Sequence, residues 1–225
     1  QGYVNPKILP FICPPGATNP LSTIAYVNAA YELAQDISAG RLPKAPDRIY
    51  VPAGSGGTFL GLLIGAKALP VLRGTQIIAV NSGSNRPTAQ YLQHSRDVLR
   101  YLEELTAGSF PDIRITAAEL ESIIDRQAVG AYAVITDEGT EALQLASTVG
   151  LKLEHTYTAK TVGRMLSDAR AQTGRSDELW LYWHTHTADA AAYTALGDPR
   201  VTDADLILLR QHFSEEVLVE YGLVE

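Results

Sequence analysis

The chain carries a single cysteine, Cys13, in 225 residues, which excludes an internal disulfide framework and points to a reducing, cytoplasmic setting. Cys13 itself reads as a small buried strand residue, because free cysteines pack as hydrophobes. Nowhere do the ~20 continuous apolar residues of a membrane span occur, and no charged-then-apolar leader opens the chain. Basic residues are scattered singly and outnumbered, 18 against 25 acidic ones, giving a net charge of −7 and a pI near 5.2. Nucleic acids and anionic membranes select clustered Lys and Arg, so neither is an expected partner. The two familiar nucleotide loops are missing as well. There is no Gly-Lys-Ser/Thr of a Walker loop and no three-glycine spacing with a downstream acidic residue. His184 and His186 lie two apart on a strand-like run and could share a face, but no third ligand has matching spacing, and no metal site is expected.

What is present is a compact α/β pattern. At 46% apolar and 19% charged residues the chain can bury a sizeable core. Arg48 to Ala53 and Gln76 to Asn81 are near-continuous apolar runs, as parallel strands are. Asn19 or Thr18 caps a helix that runs through Ala25, Ala29, Leu33 and Ile37 and ends at Gly40. Pro87 to Thr106 is helical with a charged face, and Thr116 with Glu119 makes a capping box. Glu138 to Val149 is a further helix, with Glu138 and Glu141 opposing its positive dipole end. Ala159 to Gln172 follows with Lys160, Arg164 and Arg170 outward, and Glu178 to Trp183 is a late buried strand. Strands alternating with helices of this length imply a doubly wound parallel sheet covered on both faces, with ligands at the carboxyl ends of its strands.

The most informative stretch is where the first strand meets Gly54, Ser55, Gly56, Gly57 and Thr58. Glycines there let the backbone approach a ligand, two hydroxyls stand by, and the first N–H groups of the next helix have no partner within it. A phosphate ester would be held in such a cradle; a plain tight strand-to-helix turn is the alternative reading.

Four segments, in order, resemble pyridoxal 5'-phosphate (PLP) enzymes of the tryptophan-synthase β-subunit fold (fold type II), in the 1-aminocyclopropane-1-carboxylate deaminase and D-cysteine desulfhydrase branch. Pro15 to Leu21 with Ala25 to Leu33 is similar to that branch's GGSNPLG…GYVxAAxEL segment. Gly54 to Thr58 is similar to its phosphate cradle. Glu138-Gly139-Thr140 and Thr156 to Lys160 resemble its EGT and VYxGK signatures, and Leu181 to Thr185 sits where the branch reads a Tyr/Phe-x-His-Thr run before two glycines. Those glycines are His186 and Thr187 here, the VYxGK glycine is Ala159, and the second glycine of the first segment is Ala17.

The resemblance implies the large domain of a type-II PLP enzyme over residues 16–225, with a remnant of the smaller domain over 1–15. It implies PLP as cofactor, held by Gly54, Ser55, Gly56, Gly57 and Thr58 and flanked by His184 and Thr185. Tyr157 and Tyr182 align with positions near the cofactor ring, where a phenol stacks or relays a proton; a core tyrosine with a satisfied hydroxyl is the alternative. None of the five lysines, Lys7, Lys44, Lys67, Lys152 and Lys160, stands in the Asn-Lys-x-Arg context of the family's Schiff-base lysine. The expected function is therefore the carboxyl-terminal part of a deaminase or desulfhydrase-like lyase acting on a small amino acid, completed by an N-terminal segment or a partner subunit. A homodimer is expected to cover the surface such a division exposes. A non-catalytic relative that binds a phosphorylated metabolite or a protein partner is the alternative.

Overall fold

The computed structural model describes residues 15–84, 86–126, 131–171 and 177–185. The expected small-domain remnant falls, up to residue 14, outside the described residues, as do Cys13 and His186.

A helix α1 (Pro20–Ser38) is followed by β1 (Arg48–Ala53), α2 (Gly57–Ala68), β2 (Gln76–Asn81), α3 (Thr88–Leu105), α4 (Ala117–Ile123), β3 (Ile124–Asp125), α5 (Asp137–Thr148), α6 (Thr158–Ala171) and β4 (Trp180–Tyr182). The four strands form one parallel sheet in the order β3-β2-β1-β4. The helix ends follow local chemistry. Asn19 caps α1 in a reciprocal capping box with Ser22, and Gly40 just beyond its end takes φ 71°. At α4 only the Thr116 hydroxyl arm of the expected box appears, accepting from the Glu119 amide, while the Glu119 carboxylate takes the Lys67 ammonium at 2.7 Å.

Side-chain alternation in β1 and β2 feeds two faces. Ile49, Val51, Ala53, Ile77 and Ala79 pack with α1, α2 and α3 on one side, whereas Tyr50, Ile78 and Val80 face Met165 of α6 on the other. The sheet is thus doubly wound. Helix α2 is buried almost all round, from Phe59 through Ala66, as a helix wedged between sheet and a second helix must be. Its neighbour α1 comes so close that a Cβ added at Gly61 would stand 2.5 Å from the Thr23 carbonyl oxygen, and one at Gly65 2.4 Å from the Ala30 Cβ. Glycine here is a packing requirement.

On the opposite face a polar cluster ties strands to α6. Tyr50 donates to Asp168 at 2.8 Å, Arg164 Nε donates to the other Asp168 oxygen at 3.1 Å, and its Nη1 pairs with Asp125 of β3. This corrects two sequence expectations. Arg164 is half-buried and structural, and Lys160, expected outward, is 2% exposed with its ammonium donating to the Ala131 carbonyl at 2.8 Å. Only Arg170 faces solvent, paired with Glu141. The first turn of α6 is enclosed by the sheet and α5 together, so Thr158, Ala159, Lys160, Thr161 and Gly163 are all buried and one wet face is lost there. The late strand is also shorter than expected: β4 is three half-buried residues, paired among the described residues with β1.

Pro52 sits in β1 without breaking the sheet because of where β4 stops. Successive residues of a strand turn their N–H and C=O groups to opposite neighbours. The Tyr50 carbonyl accepts from Trp183 at 2.8 Å on the β4 side and the Ala53 carbonyl accepts from Ser82 on the β2 side. The missing N–H of Pro52 therefore faces β4, one step beyond its last paired residue, where no ladder bond is needed.

Two outcomes are expected. Gly61→Leu should lower stability by about 1–3 kcal/mol through overpacking, read as a shifted urea midpoint, while Gly74→Ala, with nothing within 4 Å of the added Cβ, leaves the midpoint unchanged. Burial pushes the Tyr50 hydroxyl up from 10.0 to about 12. A group whose folded pKa is raised contributes stability that is intact below its unfolded value and lost as pH climbs through the folded one. The chain should lose stability between pH 10 and 12, and Tyr50→Phe should remove that part of the alkaline limb in chemical denaturation.

Candidate cofactor site

Beyond Pro52 the sheet opens between β1 and β4, the point where strand order reverses, and ligands bind at such points in open parallel sheets. A cleft of about 840 Å³ lies there, lined by Gly54, Ser55, Gly56, Gly57 and Thr58 after β1, by Ser82, Ser84 and Arg86 after β2, and by Tyr132, Glu154, Tyr157 and Thr185. That volume suits a small organic ligand.

The cradle is built by the strand-to-helix turn. Gly56 takes φ 105°, and a Cβ on it would stand 2.7 Å from the ring of Tyr91. No side chain caps the helix start. Among the described residues, no group accepts a hydrogen bond from the amides of Ser55, Gly56, Gly57 or Thr58. These N–H groups, at the positive end of a 12-residue helix, suit an anion. The near wall comes from the segment before α1: the Thr18 and Ser55 hydroxyls share a hydrogen bond, and a Cβ on Gly16 (φ 68°) would strike the Ser55 hydroxyl.

Among the described residues, two charged side chains line the cleft, Glu154 and Arg86. The Glu154 carboxylate is occupied at the start of α6, accepting from the amides of Thr156, Tyr157 and Thr158 at 2.6–2.8 Å. The Arg86 guanidinium donates Nη1 to the Ser55 carbonyl at 2.7 Å, lies 5.3 Å from the Tyr91 ring centroid, and keeps Nε buried without a partner among the described residues. The balance favours a negatively charged ligand.

Of the residues singled out from sequence, the structure brings the five cradle residues, Tyr157 and Thr185 to one cleft. Tyr157 faces Tyr132, hydroxyl to hydroxyl at 2.8 Å with rings edge to face at 5.9 Å. Tyr182 and His184 lie elsewhere, the Tyr182 hydroxyl 3.0 Å from His184 Nδ1 and neither lining the cleft. Tyr182 packs instead on the apolar cluster of α5 and α6, and burial raises its pKa. Sequence reasoning missed Arg86 and Tyr132, which sit on connections without periodicity. The rule that placed the cradle at a strand's carboxyl end, applied to β2, would have flagged Ser82 to Arg86. No set of three His, Cys, Asp or Glu side chains able to hold a metal gathers among the described residues.

The residues fit a phosphorylated, planar cofactor: the glycines form a turn that a Cβ at Gly16 or Gly56 would obstruct, uncommitted amides stand at the positive end of α2, and Tyr157 with Tyr132 offers an aromatic wall. Comparison with known proteins agrees. Residues 9–185 match the family described as "Pyridoxal-phosphate dependent enzyme". A Pyrococcus furiosus protein provisionally named a 1-aminocyclopropane-1-carboxylate deaminase is 31% identical over 178 residues, covering 78% of this chain and 49% of that one. The crystal structure of a homologue of the same deaminase superposes with a TM-score of 0.61 at 26% identity, over 83% of this chain and 52% of the other. The chain thus spans about half the length of these relatives. With its parallel sheet, its glycine cradle and a family match over most of its length, the chain belongs to the pyridoxal-phosphate dependent enzymes of fold type II, in the branch of 1-aminocyclopropane-1-carboxylate deaminase.

Proposed function

We propose that this chain supplies the phosphate-binding and ring-flanking half of a PLP-dependent deaminase or desulfhydrase-like lyase acting on a small amino acid, with the Schiff-base lysine delivered by an N-terminal segment or a partner subunit. The carrying observation is the cradle of uncommitted amides at the carboxyl end of β1, facing the Tyr132 and Tyr157 hydroxyls across one cleft. PLP, when bound, supplies an electron sink for carbanion chemistry at the substrate's α-carbon.

The chain's own contributions are binding, orientation and proton handling. Gly54 to Thr58 hold the phosphate through backbone N–H groups, and Thr185 closes the cleft beyond β4. The Tyr157 hydroxyl can pass a proton to or accept one from Tyr132, and the two phenols form the pair able to hold a proton beside substrate. No lysine is left for covalent work among those described in the cleft's surroundings: Lys160, the one nearest in sequence to Tyr157, is buried and bonded to the Ala131 carbonyl. Support for a second segment comes from the relatives, each about twice as long as the matched region. The homodimer and the cytoplasmic setting belong to the same proposal; among the described residues no helix is long and apolar enough to cross a membrane.

Two measurements test this. The chain alone, mixed with PLP and borohydride, should yield no pyridoxyl-lysine by mass spectrometry and no turnover of small D- or L-amino acids, whereas co-expression with a segment or subunit that carries the Schiff-base lysine should restore both. Turnover by the isolated chain would overturn the division of labour; phosphate binding without any restoration would favour the non-catalytic binder. Gly56→Ala, which forces φ 105° and a 2.7 Å contact on Tyr91, should weaken phosphate binding about tenfold or more, at a backbone strain of roughly 1–3 kcal/mol.

A further inference from the structure

The glycine cradle is held by two side chains whose bonds serve no other evident purpose. The Tyr91 hydroxyl, from α3, donates to the Gly54 carbonyl at 2.7 Å, and Arg86 Nη1, from the connection before α3, donates to the Ser55 carbonyl at 2.7 Å. All described peptide bonds here are trans, and in a trans peptide the carbonyl of one residue and the N–H of the next point in opposite directions. Pinning the Gly54 carbonyl toward α3 therefore turns the Ser55 N–H away from it, and pinning the Ser55 carbonyl does the same for the Gly56 N–H. Successive amides facing one way make an anion-binding concavity. We infer that Tyr91 and Arg86 are positioning residues that pre-orient the cradle amides toward the cofactor phosphate, a role that rests on the PLP reading above.

Several features show that the brace is built in. Tyr91 is 1% exposed, its ring packs edge to face on Phe59 of α2 at 5.2 Å, and it stands where any side chain on Gly56 would have to go. Arg86 is placed by its own turn: Asn81 takes both the amide and the carbonyl of Ser84, and the Ser84 hydroxyl accepts from the Arg86 amide at 3.2 Å. The guanidinium then spans the Tyr91 ring face and the Ser55 carbonyl. A loose glycine turn must lose backbone freedom when it binds; a turn with two carbonyls already tied has lost it on folding, so less affinity is spent in ordering. The positive charge of Arg86 adds attraction for the same dianion.

The test compares ligands that differ only in the phosphate. Inorganic phosphate and PLP are titrated into the 225-residue chain by ³¹P NMR, and pyridoxal is followed by equilibrium dialysis. Tyr91→Phe, which keeps the ring and loses one hydroxyl, should weaken phosphate and PLP about tenfold while pyridoxal is unchanged. Arg86→Met should weaken them further, and Arg86→Lys, which restores charge without the fork, only partly less. In ¹⁵N spectra, the wild-type Ser55 and Gly56 amides should move on phosphate addition and the Tyr91→Phe amides should already be displaced beforehand. Wild-type affinity for phosphate in both Tyr91→Phe and Arg86→Met would overturn the brace, as would an equal fall for phosphate and pyridoxal, the mark of general damage. A wild-type chain that binds neither phosphate nor PLP would overturn the reading of the cradle itself.

Discussion

The close approach of α1 and α2 is the constraint on which the rest of the molecule depends. Two bare glycines, Gly61 and Gly65, let the helices meet at backbone distance, and α2 is in turn clamped on the sheet by Phe59, Leu60, Leu62, Leu63 and Ile64. Each fully buried side chain of this kind contributes roughly 1.5–3 kcal/mol, so α2 has one position. Its N-terminus is the floor of the cleft. The uncapped amides at that N-terminus are thus fixed by packing several turns away, and the chain before α1, carrying Gly16 and Thr18, is carried to the cleft rim by the same contact.

Charge in the cleft is arranged with equal economy. A bare carboxylate would repel any anion in the cleft, yet Glu154 lines it. Its charge is absorbed by three amides at the start of α6, where a helix dipole welcomes an anion. The same first turn buries the Lys160 ammonium, whose pKa burial lowers and the Glu154 charge partly restores. Lys160 holds the Ala131 carbonyl, and Ala131 precedes the Tyr132 that meets Tyr157. A residue read from periodicity as a solvated surface lysine is a strut behind the aromatic wall.

What sequence could and could not reveal follows from where periodicity exists. Strands β1 and β2, the capping of α1 by Asn19 and the cradle after Ala53 were legible because a change of hydrophobic period coincides with glycine, asparagine or proline punctuation. The helix limits were legible to within a residue or two for the same reason. Arg86 and Tyr132 were not, because they sit on irregular connections and enter the cleft through turns such as that of Asn81 and Ser84. Tyr182 and His184 align with cofactor-flanking positions; in the structure Tyr182, paired with Tyr50 in the sheet, packs on the α5 and α6 cluster, its hydroxyl beside His184. Alignment fixes neighbours in sequence; side-chain alternation along a strand decides which face each one reaches.

The placement of β4 also bears on how the chain acquires its shape. Asp47 and Leu179, which join the start of β1 to the approach of β4, are 132 residues apart. Bringing such distant segments together must overcome a large loss of chain entropy before any pairing energy is returned, and parallel contacts of this span form slowly. During synthesis the glycine turn and its two flanking helices emerge and can pack long before Trp180 to Thr185 leave the ribosome. Among the described lining residues Thr185 is therefore the last to arrive, and a chain arrested before that point would own the glycine turn without this wall beside it.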